Sequence, residues 1–211
     1  MASKERKERE REEMRELILN AAKDIITEEG IENLSVRKIA GRIEYSPAII
    51  YHYFKDKDDI VTQQMQRGYQ KIINALASVK TSPGHPEERL KELVKNYIAA
   101  ALKMPDEYMA VQLSSSPSIL EYTSFMFEGA SAGKPALAIL HQCLKDIYKD
   151  KGVSDSQLEL TAQILAASSL GLIIKLLREK DIGEEQQSRL IDHYIKCMVD
   201  GMILGKPIDE Y

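Results

Sequence analysis

Apolar positions along the chain recur at three- and four-residue spacing, and sustained alternation is absent, so the pattern predicts helices and almost no strand. A first helix is expected from about Glu5 to Glu29, with Met14, Leu17, Ile18, Ala21, Ile25 and Ile26 as its stripe and Gly30 as its C-terminal cap. Ser35 then opens a short helix with Val36, Ile39, Ala40 and Ile43 on one face. Ser46 opens a second short helix, with Pro47 at its first position. Asp56 caps a long fourth helix whose stripe is Ile60, Met65, Tyr69, Ile72, Ile73 and Leu76. The segment Thr81-Ser-Pro-Gly-His-Pro86 is the strongest break in the chain.

Beyond that break the pattern predicts five or six further helices. They are expected at about Glu87 to Lys103, Asp106 to Ser114, Pro117 to Glu128, Lys134 to Lys151, Ser154 to Glu179 and Glu184 to Leu204, with Gly129 to Gly133 as a loop. No internal repeat or low-complexity segment is visible.

Composition narrows the class. The chain has 211 residues, 44% hydrophobic and 29% charged, which suits a globular fold with a sizeable core. The net charge of −4 argues against a surface that coats nucleic acid or membrane everywhere. Its distribution is uneven: residues 35–57 carry Arg37, Lys38, Arg42, Lys55 and Lys57 against only Glu44 and Asp56. A basic patch on an acidic body fits a confined phosphate-binding surface. Cys143 and Cys197 form no metal-ligand spacing and read as two core thiols of a reducing compartment. The N-terminus is charged rather than apolar, and the apolar run Ile164 to Ile174 is too short to span a bilayer. A cytoplasmic protein with no membrane partner is expected. The charged run Lys4 to Glu13 has two readings, a solvated helix laced with i,i+4 pairs or an arm lying on a DNA backbone.

The two short helices carry the strongest functional signal. Neither is long enough to build its own core, but crossed they share one, with Val36, Ile39, Ala40 and Ile43 meeting Ile50 and Phe54, and Tyr45 closing the corner. That is the helix-turn-helix arrangement. With Ile50 and Phe54 inward, helical spacing turns Ser46, Ala48, Ile49, Tyr51 and Tyr53 outward. A major groove would cover such a face, with Ala48 and Ile49 against thymine methyl groups and the tyrosine hydroxyls on phosphates. Ser35 and Ser46 lie at helix N-termini that suit phosphate oxygens, and Arg37, Lys38, Lys55 and Lys57 supply charge.

Residues 12–60 resemble the TetR family of bacterial regulators, through Ile39-Ala40, Tyr45-Ser46, the run Ile50-Tyr51-His52-Tyr53-Phe54 and Asp56-Lys57. The resemblance implies an all-α fold with an N-terminal three-helix DNA-binding head and a C-terminal helical ligand-binding and dimerisation domain. On that reading residues 1–57 are the head, 58–80 a connecting helix and 81–211 the body. It further implies phosphate contacts at Ser35, Tyr51, Tyr53 and Lys57, and base-edge contacts at Arg37, Ser46, Pro47, Ala48 and Ile49, with His52 structural or close to a phosphate. Glu44 departs from the pattern. Family members usually carry Gly there, and Glu tolerates a positive φ poorly, so the turn either takes another shape or accepts strain.

In the body, Tyr97, Met104, Tyr108, Met109, Phe125, Met126 and Phe127 are candidates to line an effector site for a small, apolar molecule, and Glu121, Glu128 and His141 to bind a polar group on it. The same residues serve equally as core. The last two helices read as a homodimer interface through Leu158, Leu165, Leu172, Leu190, Tyr194, Ile195, Met198 and Met202, with a bundle within one chain as the alternative. No catalytic motif, metal-ligand spacing or cofactor loop appears, so no enzyme, no cofactor and no metal is expected; the resemblance implies a DNA-binding repressor released by its effector. The alternative is a helical small-molecule binder with a vestigial head.

Overall fold

The computed structural model describes residues 2–79, 85–115, 117–179 and 181–205, and the side chains of Ala2, Ser3 and Ser118 are not described. The expected junction at Thr81 to Pro86 falls mostly outside them. Among the described residues the fold is all-α, as expected. Its helices are α1 (Ala2–Glu29), α2 (Val36–Arg42), α3 (Pro47–Tyr53), α4 (Lys57–Ala77), α5 (Pro86–Leu102), α6 (Pro105–Gln112), α7 (Pro117–Thr123), α8 (Ala130–Gly133), α9 (Pro135–Ile147), α10 (Asp155–Arg178) and α11 (Glu184–Ile195). Two compact units form: residues 1–69 with 106–123, and residues 70–105 with 124–211.

The first unit packs around Ile18, Leu19, Ala22 and Ile25 of α1, Ile39 and Ala40 of α2, Ile50 of α3 with Phe54, and Ile60, Val61 and Met65 of α4. Ile119 of α7 joins this core, so a helix distant in sequence completes the head. Each fully buried Ile, Leu, Val, Met or Phe side chain among them contributes about 1.5–3 kcal/mol, the alanines less. The expected α1 stripe needs correction. Leu17 is 42% exposed, while Leu19 and Ala22 are buried, because α1 packs on a broader face than a single stripe. Tyr45 likewise leaves its ring out at 45% exposure and closes the corner through its backbone, whose N–H donates to the Ala40 carbonyl at 2.9 Å.

The second unit is built on α5, α9 and α10. Leu90, Leu93, Val94 and Ile98 face Leu140, Cys143, Leu144 and Ile147, with Leu165 and Ile173 also buried. Ser154 caps α10 in a capping box with Gln157. Several expectations fail here. Helix α7 stops at Thr123 rather than Glu128, and α8 replaces part of the expected Gly129–Gly133 loop. The reason is tertiary: Gln163 Nε2 donates to the carbonyls of Phe125 and Phe127 at 2.9 and 2.8 Å, and Glu159 accepts from the N–H groups of Gly129 and Ser131 at 2.9 and 2.8 Å. These side chains satisfy backbone groups that a continued helix would have paired. The last helix also changes type. After Ile195 the backbone widens into a π-helix over Lys196–Ile203, and Leu204 N–H reaches the Val199 carbonyl five residues back at 2.9 Å. The apolar run Ile164 to Ile174, expected to be too short to span a bilayer, lies within α10, whose 24 residues are enough by length and composition to cross one, and Leu160 and Ile164 lie exposed on it. Cys143 is buried, and burial pushes its thiol up to about 11, whereas Cys197 is half-exposed beside His193 rather than in the core.

Candidate nucleic-acid interface

Helix α2 begins where expected. Ser35 Oγ accepts the Lys38 N–H at 3.2 Å, which caps one of the free donors of the first turn. Helix α3 begins at Pro47 after Ser46, whose side chain makes no capping bond. Between them Glu44 adopts φ +60, the left-handed region. Its N–H donates to the Gly41 carbonyl at 3.4 Å and the next N–H, of Tyr45, to Ala40, so the end of α2 is closed in the Schellman manner. The turn keeps the shape that glycine serves best and accepts the strain of a Cβ there.

Ile50 and Phe54 are buried at 0% and 2% exposure, which points the other face of α3 to solvent. Ser46, Pro47, Ala48, Ile49, Tyr51 and His52 are exposed there, and Tyr53 is half-buried with its ring edge-on to His52. Arg37, Lys38 and Lys55 are exposed, and Ser35 and Lys57 half-buried. All twelve residues expected to meet DNA therefore belong to one module, and none is sealed in its core. Asp56 Oδ1 accepts the Asp59 N–H at 2.8 Å and Asp59 Oδ2 the Lys55 N–H at 3.0 Å, which fixes the turn into α4 and offsets Lys57 at the positive end of that helix.

Two cations of the basic patch are already engaged. Lys38 Nζ lies 2.5 Å from Glu29, and Arg42 makes two parallel bonds to Glu28 at 2.9 and 2.7 Å. The Arg42 guanidinium holds the Glu28 carboxyl below its ordinary range. Sequence reasoning overlooks this pairing, since the i and i+14 partners meet only when α2 crosses α1. It also misses Arg15, which lies 4.6 Å over the Phe54 ring and donates to the Tyr53 carbonyl at 2.8 Å, clamping the end of α3.

The body residues are scattered. Tyr108 and Met109 belong to the first unit; Tyr97, Met104, Phe125, Met126 and Phe127 belong to the second. Met126 and Phe127 are 60% and 48% exposed. A recess of about 380 Å³ in the second unit is lined by Lys71, Ala75, Ser78, Asn96, Ala99, Ala100, Lys103 and Met104, so of the expected set it takes Met104 alone. Glu121 and Glu128 are exposed, and His141 is buried with Nε2 3.4 Å from Asp155. Of the expected interface residues, Leu158, Leu165 and Ile195 are buried within the chain's own unit. Leu172, Tyr194 and Met198 are half-exposed, and Leu190 and Met202 exposed.

A short helix after a tight turn, held on a three-helix core with its far face open, defines a helix-turn-helix protein of the DNA-binding class. Residues 18–63 match the family model for bacterial regulatory proteins of the tetR family. Over that segment the chain is similar to the TetR family. It is 32% identical over 88 residues to the HTH-type transcriptional regulator HbdR of Aromatoleum sp., a match covering 42% of this chain and 38% of that one. It is 30% identical over 86 residues to an uncharacterised HTH-type transcriptional regulator of Mycobacterium tuberculosis, covering 40% of this chain and 37% of the relative. The chain thus matches little more than a third of the length of these relatives. Over 90% of its length it shares the fold of the fatty acid degradation regulator FadR from Bacillus halodurans, with a TM-score of 0.65, 19% identity and 96% of that chain covered.

Proposed function

We propose that the chain is a one-component transcriptional repressor that reads a palindromic operator as a homodimer and releases it when the body binds a small molecule. The observation that carries this reading is the open face of α3, where Ile49 and Tyr51 stay 36% and 58% exposed beside Ala48 and Pro47. Leaving large apolar side chains in water is unfavourable, and a groove of base edges and methyl groups covers them. Arg37, Lys55 and Lys57 add phosphate attraction.

Dimerisation is supported by an apolar stripe on α10. Leu160 and Ile164 are 58% and 54% exposed, and Ala167 and Gly171 continue them at helical spacing; Leu190 and Met202 lie exposed in and beyond α11. A second copy of the chain covers such a stripe and places two heads on half-sites about 34–36 Å apart. The effector shifts the dimer only by binding its conformations unequally. Lys71 and Lys103 beside Ala75, Ala99 and Met104 suit an amphiphile with an anionic group better than a wholly apolar molecule.

The test is fluorescence anisotropy of labelled duplex with the wild type, Tyr51→Ala and Lys57→Ala. Both variants are expected to weaken binding to every sequence by a similar factor, and Lys57→Ala to reduce the salt dependence as well. A change in sequence preference alone would contradict the assignment of these residues to phosphates.

A further inference from the structure

The N-terminal turns of α1 carry one charge pattern that the helix-turn-helix does not use. Helix α1 is continuous from Ala2, and residues 4–13 are all exposed. At about 100° per residue, Lys4, Lys7 and Arg11 fall on the same side of the helix as Ile18, Ala22 and Ile25, which are the core-facing residues of the same helix. Lys4 stands about five turns before Ala22, and Lys7 about five turns before Ile25. The buried stripe of the head therefore continues outward as a net basic stripe once the core ends, with Glu8 as the one carboxylate at its edge.

The opposite side is different. Arg6 and Glu10 pair at 3.2 Å there, with Arg9 and Glu13 beside them, so that side is charge-balanced and suited to water. No ion-pair partner meets Lys4, Lys7 or Arg11 among the described residues. Arg15 sets the direction in which the stripe leaves the head. Its guanidinium donates to the Tyr53 carbonyl and lies over Phe54, so the N-terminal turns depart where α3 ends and the Lys55–Lys57 turn begins. From Arg15 to Lys4 the helix reaches about 16 Å.

We propose that these turns are a second DNA contact: a rigid helical arm whose Lys4, Lys7 and Arg11 lie on the phosphate backbone flanking the half-site read by α3. The inference rests on the DNA-reading role of α3. Phosphate contacts of this kind position the protein without reading sequence, and each releases counterions.

Two variants remove the same charge from the same segment. Lys7→Ala/Arg11→Ala strips the core-side stripe, and Arg6→Ala/Arg9→Ala strips the outward side. Binding is measured with a fluorescein-labelled mixed-sequence duplex of about three helical turns across roughly 50–200 mM potassium chloride, with far-UV circular dichroism confirming that helix content is kept. The Lys7/Arg11 variant should flatten the slope of log Kd against log salt by about 0.9 for each phosphate that the arm no longer neutralises, and the Arg6/Arg9 variant should leave it near wild type. Equal slopes for the two variants, whether both flattened or both unchanged, overturn the arm while leaving the α3 reading intact. A wild type that shows no salt-dependent binding to duplex overturns both.

Discussion

Replacing Glu44 by Gly should make the protein more stable, against the usual direction of a glycine substitution. Glu44 sits at φ +60 in the turn between α2 and α3, with its side chain exposed to solvent. Holding a residue with a Cβ in the left-handed region costs about 1–2 kcal/mol. Glycine removes that strain but adds freedom to the unfolded chain, which costs about 0.5–1 kcal/mol. The difference leaves a net gain of about 0–1.5 kcal/mol, read as a rise in the urea midpoint at unchanged m-value. Glu44→Ala is the control. It removes the same charge but keeps the Cβ, so it should show none of that gain. If Glu44→Gly lowers the midpoint, or if Ala and Gly raise it equally, the strain argument is wrong and the effect belongs to charge.

Three further outcomes follow from the packing. Phe54→Ala should destabilise by about 3–5 kcal/mol, since it empties the site shared by α1, α3 and α4 and removes the ring beneath Arg15; a loss below about 1 kcal/mol in the same denaturation would contradict the placement. Glu159 is held at a pKa of about 2, chiefly by the Ser131 hydroxyl and then by the Ser131 and Gly129 N–H groups, so its contribution is complete above the ordinary carboxylate value of 4.5 and is lost as pH falls from there toward about 2. Glu159→Gln should lower stability at neutral pH and flatten the acid side of a stability-against-pH curve, and an unchanged acid side would refute the assignment. Leu160→Glu with Ile164→Glu should yield monomers in sedimentation velocity with helix content kept, and an undisturbed dimer would place the interface elsewhere.

The head is legible in the sequence because its signals are local. Two short apolar faces, a proline after Ser46 and the run from Ile50 to Lys57 leave only one way to share a core, and the inward Ile50 and Phe54 are found there. The strain at Glu44 is visible as a choice between two turns, and the hydrogen bonds to Ala40 and Gly41 decide it. What periodicity misses is non-local. Ile119 enters the head core from a helix about seventy positions after Ile50. Helix α7 ends early because Gln163 and Glu159, far along the chain, hold the backbone that follows it in another shape. The exposed stripe on α10 runs through Leu160 and Ile164, one helical face away from the expected Leu158 and Leu165, because an apolar helix shows no polar side to orient it.

The central claim is that α3 reads base edges within a palindrome. The most direct measurement is selection from a random duplex pool by the full chain, with sequencing of the bound fraction. The account predicts an inverted repeat with half-sites centred about one helical turn apart, and loss of that enrichment in Ala48→Asp/Ile49→Asp, which reverses the chemistry of the exposed face of α3 without touching Ile50 or Phe54. Enrichment of an unrepeated sequence, no enrichment, or an inverted repeat retained by the double variant would contradict it.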